Sequence, residues 1–423
     1  MTASLRALSK NMFHLGSGDL LGRVCSIAIV VLLGHRYGVG VLGVYVLAQG
    51  VTQYSQPLID FGLRHVGARL LVLYPHAARV IVGRIQRRRF LMAGAVLPLI
   101  LIYAASTKLS TDMKVFLFIF SAIGALYAIS LDWAAWGKEQ LYLVGLAKTV
   151  VPVSILIFLA IGEPKGGRVL WWVMGGNAFG YIAQGAIFWT WWRNQPPAPD
   201  AQPGALSAIS ESLRWQRTSV MGMAWLCNLA FNTIDLLMLG VMSKPEQVGL
   251  YGAAYRVLNQ VLATYYLLTQ VLYPRFAQQS VEHRARMLQA RILLPILGAG
   301  ITIAAVIAVS RRIVITILFG HQFLAACPLL LLLALSVPLD FMTSYLSNAF
   351  IAWGMEKKIL LCTASAAASN VILNLVFIPS HGATAAAINT LVSYGIFLLG
   401  LSVIGRAVGQ TTFDPQPQAV ACR

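Results

Sequence analysis

Charge is scarce in this sequence, and acidic charge scarcer still. Only 11% of the 423 residues are charged, against roughly 25% in a soluble domain, and 14 acidic residues stand against 32 basic ones. With 58% hydrophobic residues, lipid and not water is the expected solvent. Cysteine is also sparse: four of the five (Cys25, Cys227, Cys327, Cys362) lie in apolar runs and Cys422 lies in the tail. That pattern excludes a disulfide framework and a metal-ligand spacing, and the thiols read as small packing residues. There is no G-x-x-x-x-G-K-[ST] stretch and no H-E-x-x-H pair, so an ATPase or a zinc hydrolase has no visible machinery. The longest outer segment, before Ala325, holds about a dozen residues, too few for a catalytic loop. The chain reads as a non-enzyme with no cofactor and no metal. The amino terminus lacks a short apolar core followed by a small-residue cleavage site, so the first apolar stretch is expected to be a retained span.

What is present is a succession of apolar runs near the ~20 residues needed to cross a bilayer. Six fall in the first half, at 13–34, 41–63, 90–106, 113–136, 141–162 and 169–192, and six in the second, at 218–240, 249–273, 292–310, 325–353, 359–378 and 383–406. Between them a Pro-rich polar stretch is long enough for a linker and too short for a domain. The expected organisation is an amino-terminal six-helix bundle over 1–192, a cytoplasmic linker over 193–217, and a carboxy-terminal six-helix bundle with a short cytoplasmic tail over 218–423. The fold class is an all-α polytopic membrane protein of about 12 transmembrane helices.

The excess of positive charge follows the loops. With both termini cytoplasmic, about 21 of the 32 basic residues flank the inner ends of spans, Arg64 and Arg84 to Arg89 among them, and about 8 flank the outer ends. Arg23, Lys148 and Arg256 lie inside spans. The imbalance is an orientation signal with a secondary attraction to anionic lipid heads, and no nucleic-acid partner is needed to explain it.

The two halves share ordered fragments. Leu33-Gly34, Gly43-Val44-Tyr45 and Ala48 recur as Leu239-Gly240, Gly249-Leu250-Tyr251 and Ala254, and Ala135-Trp136-Gly137 with Glu139 recurs as Ala352-Trp353-Gly354 with Glu356. Small residues alone reflect close helix packing, but an ordered set in corresponding spans indicates a parallel duplication about an axis along the membrane normal.

Several phrases then resemble a known group: GVLGVYVLAQGVTQYSQPLIDFGL, NTIDLLMLG, VGLYGAAYRVLNQV, YPRFAQ, ILFGHQF and NLVFIPSHGATAAAINT. Over roughly residues 11–405 the chain is similar to the multidrug/oligosaccharidyl-lipid/polysaccharide (MOP) superfamily, and within it to the Wzx-like polysaccharide flippases. The resemblance implies two pseudo-symmetric six-helix bundles around a central cavity. It departs from the murein-precursor branch, which typically has two extra spans and an arginine cluster in its first helices.

Ionisable groups within spans are costly and are the first candidates for function. Arg23 is about ten residues, ~15 Å, into its span. It either pairs with Asp19 one turn away or serves substrate. Arg256 has no carboxylate within a turn and lies beside Asn259 and Gln260, which favours a cavity role. Lys148 either snorkels or functions. Amide stripes form a second signal: Gln49, Gln53, Gln56 and Asp60 share one helical face, as do Asn228, Asn232 and Asp235, and Asn370 with Asn374. Interhelical hydrogen bonding accounts for any one of them; the set suggests a wet cavity.

These residues support alternating access by a flippase. The diphosphate of a polyprenyl-linked oligosaccharide would meet Arg23 and Arg256, while Gln53, Asn228, Asn232, Asn259 and Asn374 hydrogen-bond sugar hydroxyls. Asp19, Asp235, Asp340 and Lys148 are candidates for coupling, and Asp340 is also a candidate partner of Arg256. Partners would be the lipid-linked glycan, membrane lipids and a polymerase or glycosyltransferases of surface polysaccharide (lipopolysaccharide or exopolysaccharide) biosynthesis, in a bacterial inner membrane. The alternative is a proton- or sodium-coupled multidrug exporter of the same superfamily.

Overall fold

The protein was described from a computed structural model covering residues 2–162, 168–195, 203–277, 284 and 286–411. Lys165, residues 196–202 of the linker, Cys422 and Arg423 lie outside the described residues, as do the side chains of Arg6, Lys10, Arg217 and Arg275.

Helices follow from long apolar runs in which backbone groups have no water to bond, and the described residues hold no strand. In chain order they are α1 (Thr2–Asp60), α2 (Leu63–Leu73), α3 (Ala78–Ser106), α4 (Thr111–Gly124), α5 (Asp132–Gly137), α6 (Leu141–Gly162) and α7 (Val169–Arg193). Then follow α8 (Pro203–Ser212), α9 (Trp215–Met242), α10 (Pro245–Ala277), α11 (Ala290–Phe319), α12 (Cys327–Ala334), α13 (Val337–Ala352) and α14 (Glu356–Thr411). Seven helical stretches among the described residues are long and apolar enough to cross a membrane, or eight when the pair bent by 42° between Ala334 and Val337 counts as one span. α1 breaks at Gly38 (φ 86°, ψ 177°) and α14 at Gly382 (φ 57°, ψ −134°), so each holds two spans. α7 and α10, with more Trp, Gly and amide side chains, complete the twelve expected from the sequence.

The chain divides into two compact units. The first comprises Met1–Leu229 with Gly240–Gly249, and the second Ala230–Leu239 with Leu250–Arg423. The interior of the first is built on Ile81, Ile85, Leu131, Trp133 and Phe188, and the linker joins it through Ile209 of α8 and Leu213 just beyond that helix. The second is built on Phe231, Phe276, Phe350, Trp353, Phe397 and Leu401. Large apolar side chains such as Ile161, Val309 and Leu399 stand on exposed helix surfaces, where acyl chains and not water are the matching solvent.

The duplicated fragments occupy matching environments. Tyr45 and Tyr251 are both buried, as are Ala48 and Ala254. Each duplicated tryptophan carries a guanidinium over its ring, Arg64 at 5.8 Å from Trp136 and Arg284 at 5.6 Å from Trp353. The helices before these turns end alike, with Gln140 N bonding Ala135 O and Met355 N bonding Phe350 O. The left-handed residue of that closure is Glu139 (φ 57°) in the first half and Gly354 (φ 79°) in the second. The structural match is thus displaced by two residues from the sequence match.

A Cβ on residue 354 would meet nothing within 4 Å, so its substitution tests backbone conformation alone. Gly354→Ala is expected to lower stability by about 1–2 kcal/mol, measured as a drop in the thermal midpoint of the detergent-purified protein.

Candidate functional site

Polar residues inside the first unit gather around two carboxylates placed by the end of α1 and by α5. Asp60, 1% exposed, lies 2.8 Å from Nε of Arg89, which is 0% exposed. Tyr127 donates to Asp60 at 2.9 Å. Arg89 spends its other donors on the carbonyls of Ser130 and Tyr127 and on Gln86 Oε1. Gln86 in turn bonds the Ala128 carbonyl and receives the Trp133 indole N–H. Beside this, Arg64 pairs with Asp132 at 3.3 Å. His65, which follows the second span, is held below the usual histidine range by burial and by its neighbour Arg64. Arg89 reads in sequence as one of a run of loop arginines. The structure places it inside, because α3 starts at Ala78, before the apolar run at 90, and its first turns carry Arg89 against Asp60. The cue available in sequence was the lone Asp60 at the end of the amide stripe, a charge that needed a partner.

A second cluster in the first unit joins three of the sequence candidates. Asp19 accepts from Arg23 Nε at 2.7 Å and from Lys148 Nζ at 2.6 Å. α1 and α6 come together here because Gly18 and Gly22 face Gly145 and Lys148: a Cβ on Gly18 would lie 2.5 Å from the Gly145 backbone. One carboxylate therefore serves two cations whose side chains remain 41% and 48% exposed. Among the described residues the terminal guanidinium nitrogens of Arg23 have no hydrogen-bond partner. Of the amide stripe, Gln49 donates to Tyr45 at 2.6 Å, Gln56 contacts Tyr181 at 3.4 Å, and Gln53 is exposed. Asn228 is exposed as well.

The second unit treats its carboxylates differently. Asp235 is 1% exposed and accepts from Tyr251 (2.8 Å), Thr390 (2.6 Å) and Asn374 (2.5 Å). Asn374 also bonds Asn370 Oδ1 at 2.7 Å and receives Asn389 Nδ2 at 2.9 Å. Among the described residues the buried amide nitrogen of Asn370 has no hydrogen-bond partner. α9, α10 and both spans of α14 meet at this carboxylate. Asp340, on α13, accepts from Tyr266 at 2.9 Å and Ser344 at 3.2 Å. Tyr394 lies against Asp340 and donates to Asn232 Oδ1 at 3.3 Å. Among the described residues no Lys or Arg pairs with Asp235 or Asp340, Arg256 included. Arg256 and Asn259 are half-buried on α10.

The structure thus brings together Asp19, Arg23 and Lys148 in one unit and Asp235 with Asn374 in the other. Tyr251, Asn389 and Thr390 were not singled out in sequence. Tyr251 had a signal, its match to Tyr45 in the duplication; Asn389 and Thr390 sit in an alanine-rich run with no visible periodic partner.

A family model described as "Polysaccharide biosynthesis protein" matches residues 8–280. No curated protein matches the chain in sequence. Among solved structures, the fold is similar to "Lipid II flippase MurJ, inward closed conformation" at a TM-score of 0.66 and 14% identity, covering 94% of this chain and 90% of that one. It is also similar to an inward-facing multidrug resistance MATE family transporter of the MOP superfamily, at a TM-score of 0.68 and 11% identity over 94% and 99% of the two chains. The eukaryotic MATE transporter AtDTX14 follows at 0.54 and 12%, over 97% and 98%.

The buried pair yields a stability test. Arg89→Ala leaves Asp60 unpaired in the interior and is expected to cost roughly 3–5 kcal/mol. The double variant Asp60→Asn/Arg89→Met removes both charges and is expected to recover part of that loss, read as thermal unfolding in detergent. A single variant as stable as the unaltered protein would show that the pair contributes nothing.

Proposed function

The chain belongs to the polysaccharide biosynthesis protein family, and from that premise we propose that it is a flippase carrying a polyprenyl-diphosphate-linked oligosaccharide from the inner to the outer leaflet of a bacterial inner membrane. Family membership and the transporter fold support a membrane transporter of polysaccharide biosynthesis in general terms. The observation that carries the finer reading is the Asp19 cluster, where two half-exposed cations share one carboxylate. The trio keeps a net positive charge, and the uncommitted fork of Arg23 has the planar donor geometry that suits phosphate oxygens. Arg256 is proposed as a second diphosphate contact, with Gln53, Asn228, Asn232, Asn259 and Asn374 available to sugar hydroxyls. The lipid tail stays in the bilayer while the two bundles alternate access. Both termini lie in the cytoplasm on the charge count, facing the side where glycosyltransferases act, with a polymerase as a further candidate partner.

Asp235 is proposed as the coupling group. A carboxylate held by two hydroxyl donors and one amide N–H, with no Lys or Arg paired to it among the described residues, suits uptake of a proton or a monovalent cation, and this feature also suits the second reading, a proton- or sodium-coupled multidrug exporter.

Cells lacking the protein should accumulate the lipid-linked glycan on the inner leaflet, and the unaltered chain should restore export. Arg23→Gln/Lys148→Gln and Arg256→Ala are expected to abolish that restoration while the protein stays folded and membrane-inserted. Unchanged lipid-linked sugars in the deletion would favour the exporter, and full surface glycan with the variants would remove these cations from the mechanism. Asp235→Asn should lower transport and erase its response to a sodium or proton gradient; transport by the unaltered chain that ignores both gradients would exclude the coupling role.

A further inference from the structure

One cavity of the second unit lies apart from all of these groups. It has a volume of about 770 Å³ and is formed by the end of α11, the 3-10 turn His321–Ala326 and the start of α12. Its polar wall carries Arg311, Arg312 and His321, its apolar wall includes Ile313, Ile317 and Leu324, and no acidic residue lines it.

The geometry of this wall is fixed by the chain around it. α11 ends at Gly320, where the chain turns at φ 89°. Phe319 and Phe323 on either side of that turn are buried with their rings 5.4 Å apart, and this anchoring leaves His321 exposed at the rim. Arg311 is oriented by a hydrogen bond to the Ala308 carbonyl, and its own carbonyl faces Cys327 Sγ at 3.9 Å. Arg312 and His321 have no hydrogen-bond or ionic partner among the described residues. Ile313 and Ile317 are 65% and 69% exposed and continue the apolar surface of α11.

Depth decides what such a mixed pocket meets. Arg291 and Arg311 are twenty residues apart on the same helix, a rise of ~30 Å, which is the thickness of a hydrocarbon core. With Arg291 at one interface, the Arg311–Arg312 pair stands at headgroup level of the other. We propose that this pocket is a binding site for an anionic phospholipid of that leaflet, with the phosphodiester on Arg311, Arg312 and His321 and an acyl chain along Ile313, Ile317 and Leu324. Charge complementarity selects the anionic headgroup. The exposed apolar wall, running on into the lipid-facing side of α11, selects a lipid over a soluble anion.

The test is native mass spectrometry of the full chain in detergent, titrated with phosphatidylglycerol, with phosphatidylcholine, and with inorganic phosphate as competitor. Phosphatidylglycerol should be retained in preference to phosphatidylcholine, and phosphate should not displace it. Arg312→Gln should weaken retention about fivefold, and Arg311→Gln/Arg312→Gln about twenty-fivefold. Arg36→Gln/Lys244→Gln, which removes two exposed charges elsewhere, should leave retention unchanged. The single variant, at an exposed position, serves if the double variant does not fold. Equal retention of both lipids, displacement by phosphate, or unchanged retention in the folded Arg312→Gln variant would overturn the assignment.

Discussion

A carboxylate carried into a hydrocarbon layer has no water to turn to, so the protein itself must supply the compensation. The two units do this by different means. In the first, guanidinium and ammonium groups meet the acids directly: Arg89 on Asp60, Arg64 on Asp132, and Arg23 with Lys148 on Asp19. In the second, hydroxyls and amides meet Asp235 and Asp340. An ion pair fixes the charge state of both partners, because neutralising one strands the other. A ring of neutral donors has no such partner to strand. Neutralising an acid of the first unit would therefore strand its cation, whereas Asp235 and Asp340 have no Lys or Arg partner among the described residues.

This asymmetry arises on a shared architecture. Tyr45 and Tyr251 occupy the same buried station in the two halves, yet one accepts from Gln49 and the other donates to Asp235. The duplication supplied the helices and the close-packing glycines, and the polar substitutions on that scaffold diverged.

The apolar runs made the twelve spans and the internal duplication legible, because lipid imposes length and apolarity on every crossing segment. The breaks within α1 and α14 were also visible as gaps between runs. Depth along a span identified Arg23, Lys148, Arg256 and Asp340 as groups needing an explanation. Sequence alone left the Arg23–Asp19 pair open against a substrate role; the structure makes the pair and adds Lys148 to it from a helix more than 120 residues away. Arg89 was hidden by its neighbours, since four arginines within six residues look like one loop signal, and only packing separates the buried one from the rest. Thr390 was hidden by distance, because its partner Asp235 is over 150 residues earlier, and Asn389 because it reaches that carboxylate only through Asn374.

The backbone contact between the start of α1 and α6 carries a mechanical consequence. Where glycines let two helices touch main chain to main chain, sliding one past the other by a turn would drive Cα atoms together and pull Lys148 from Asp19. Along this contact the two helices are therefore keyed together as one rod, which sets Arg23 and Lys148 at fixed positions around Asp19.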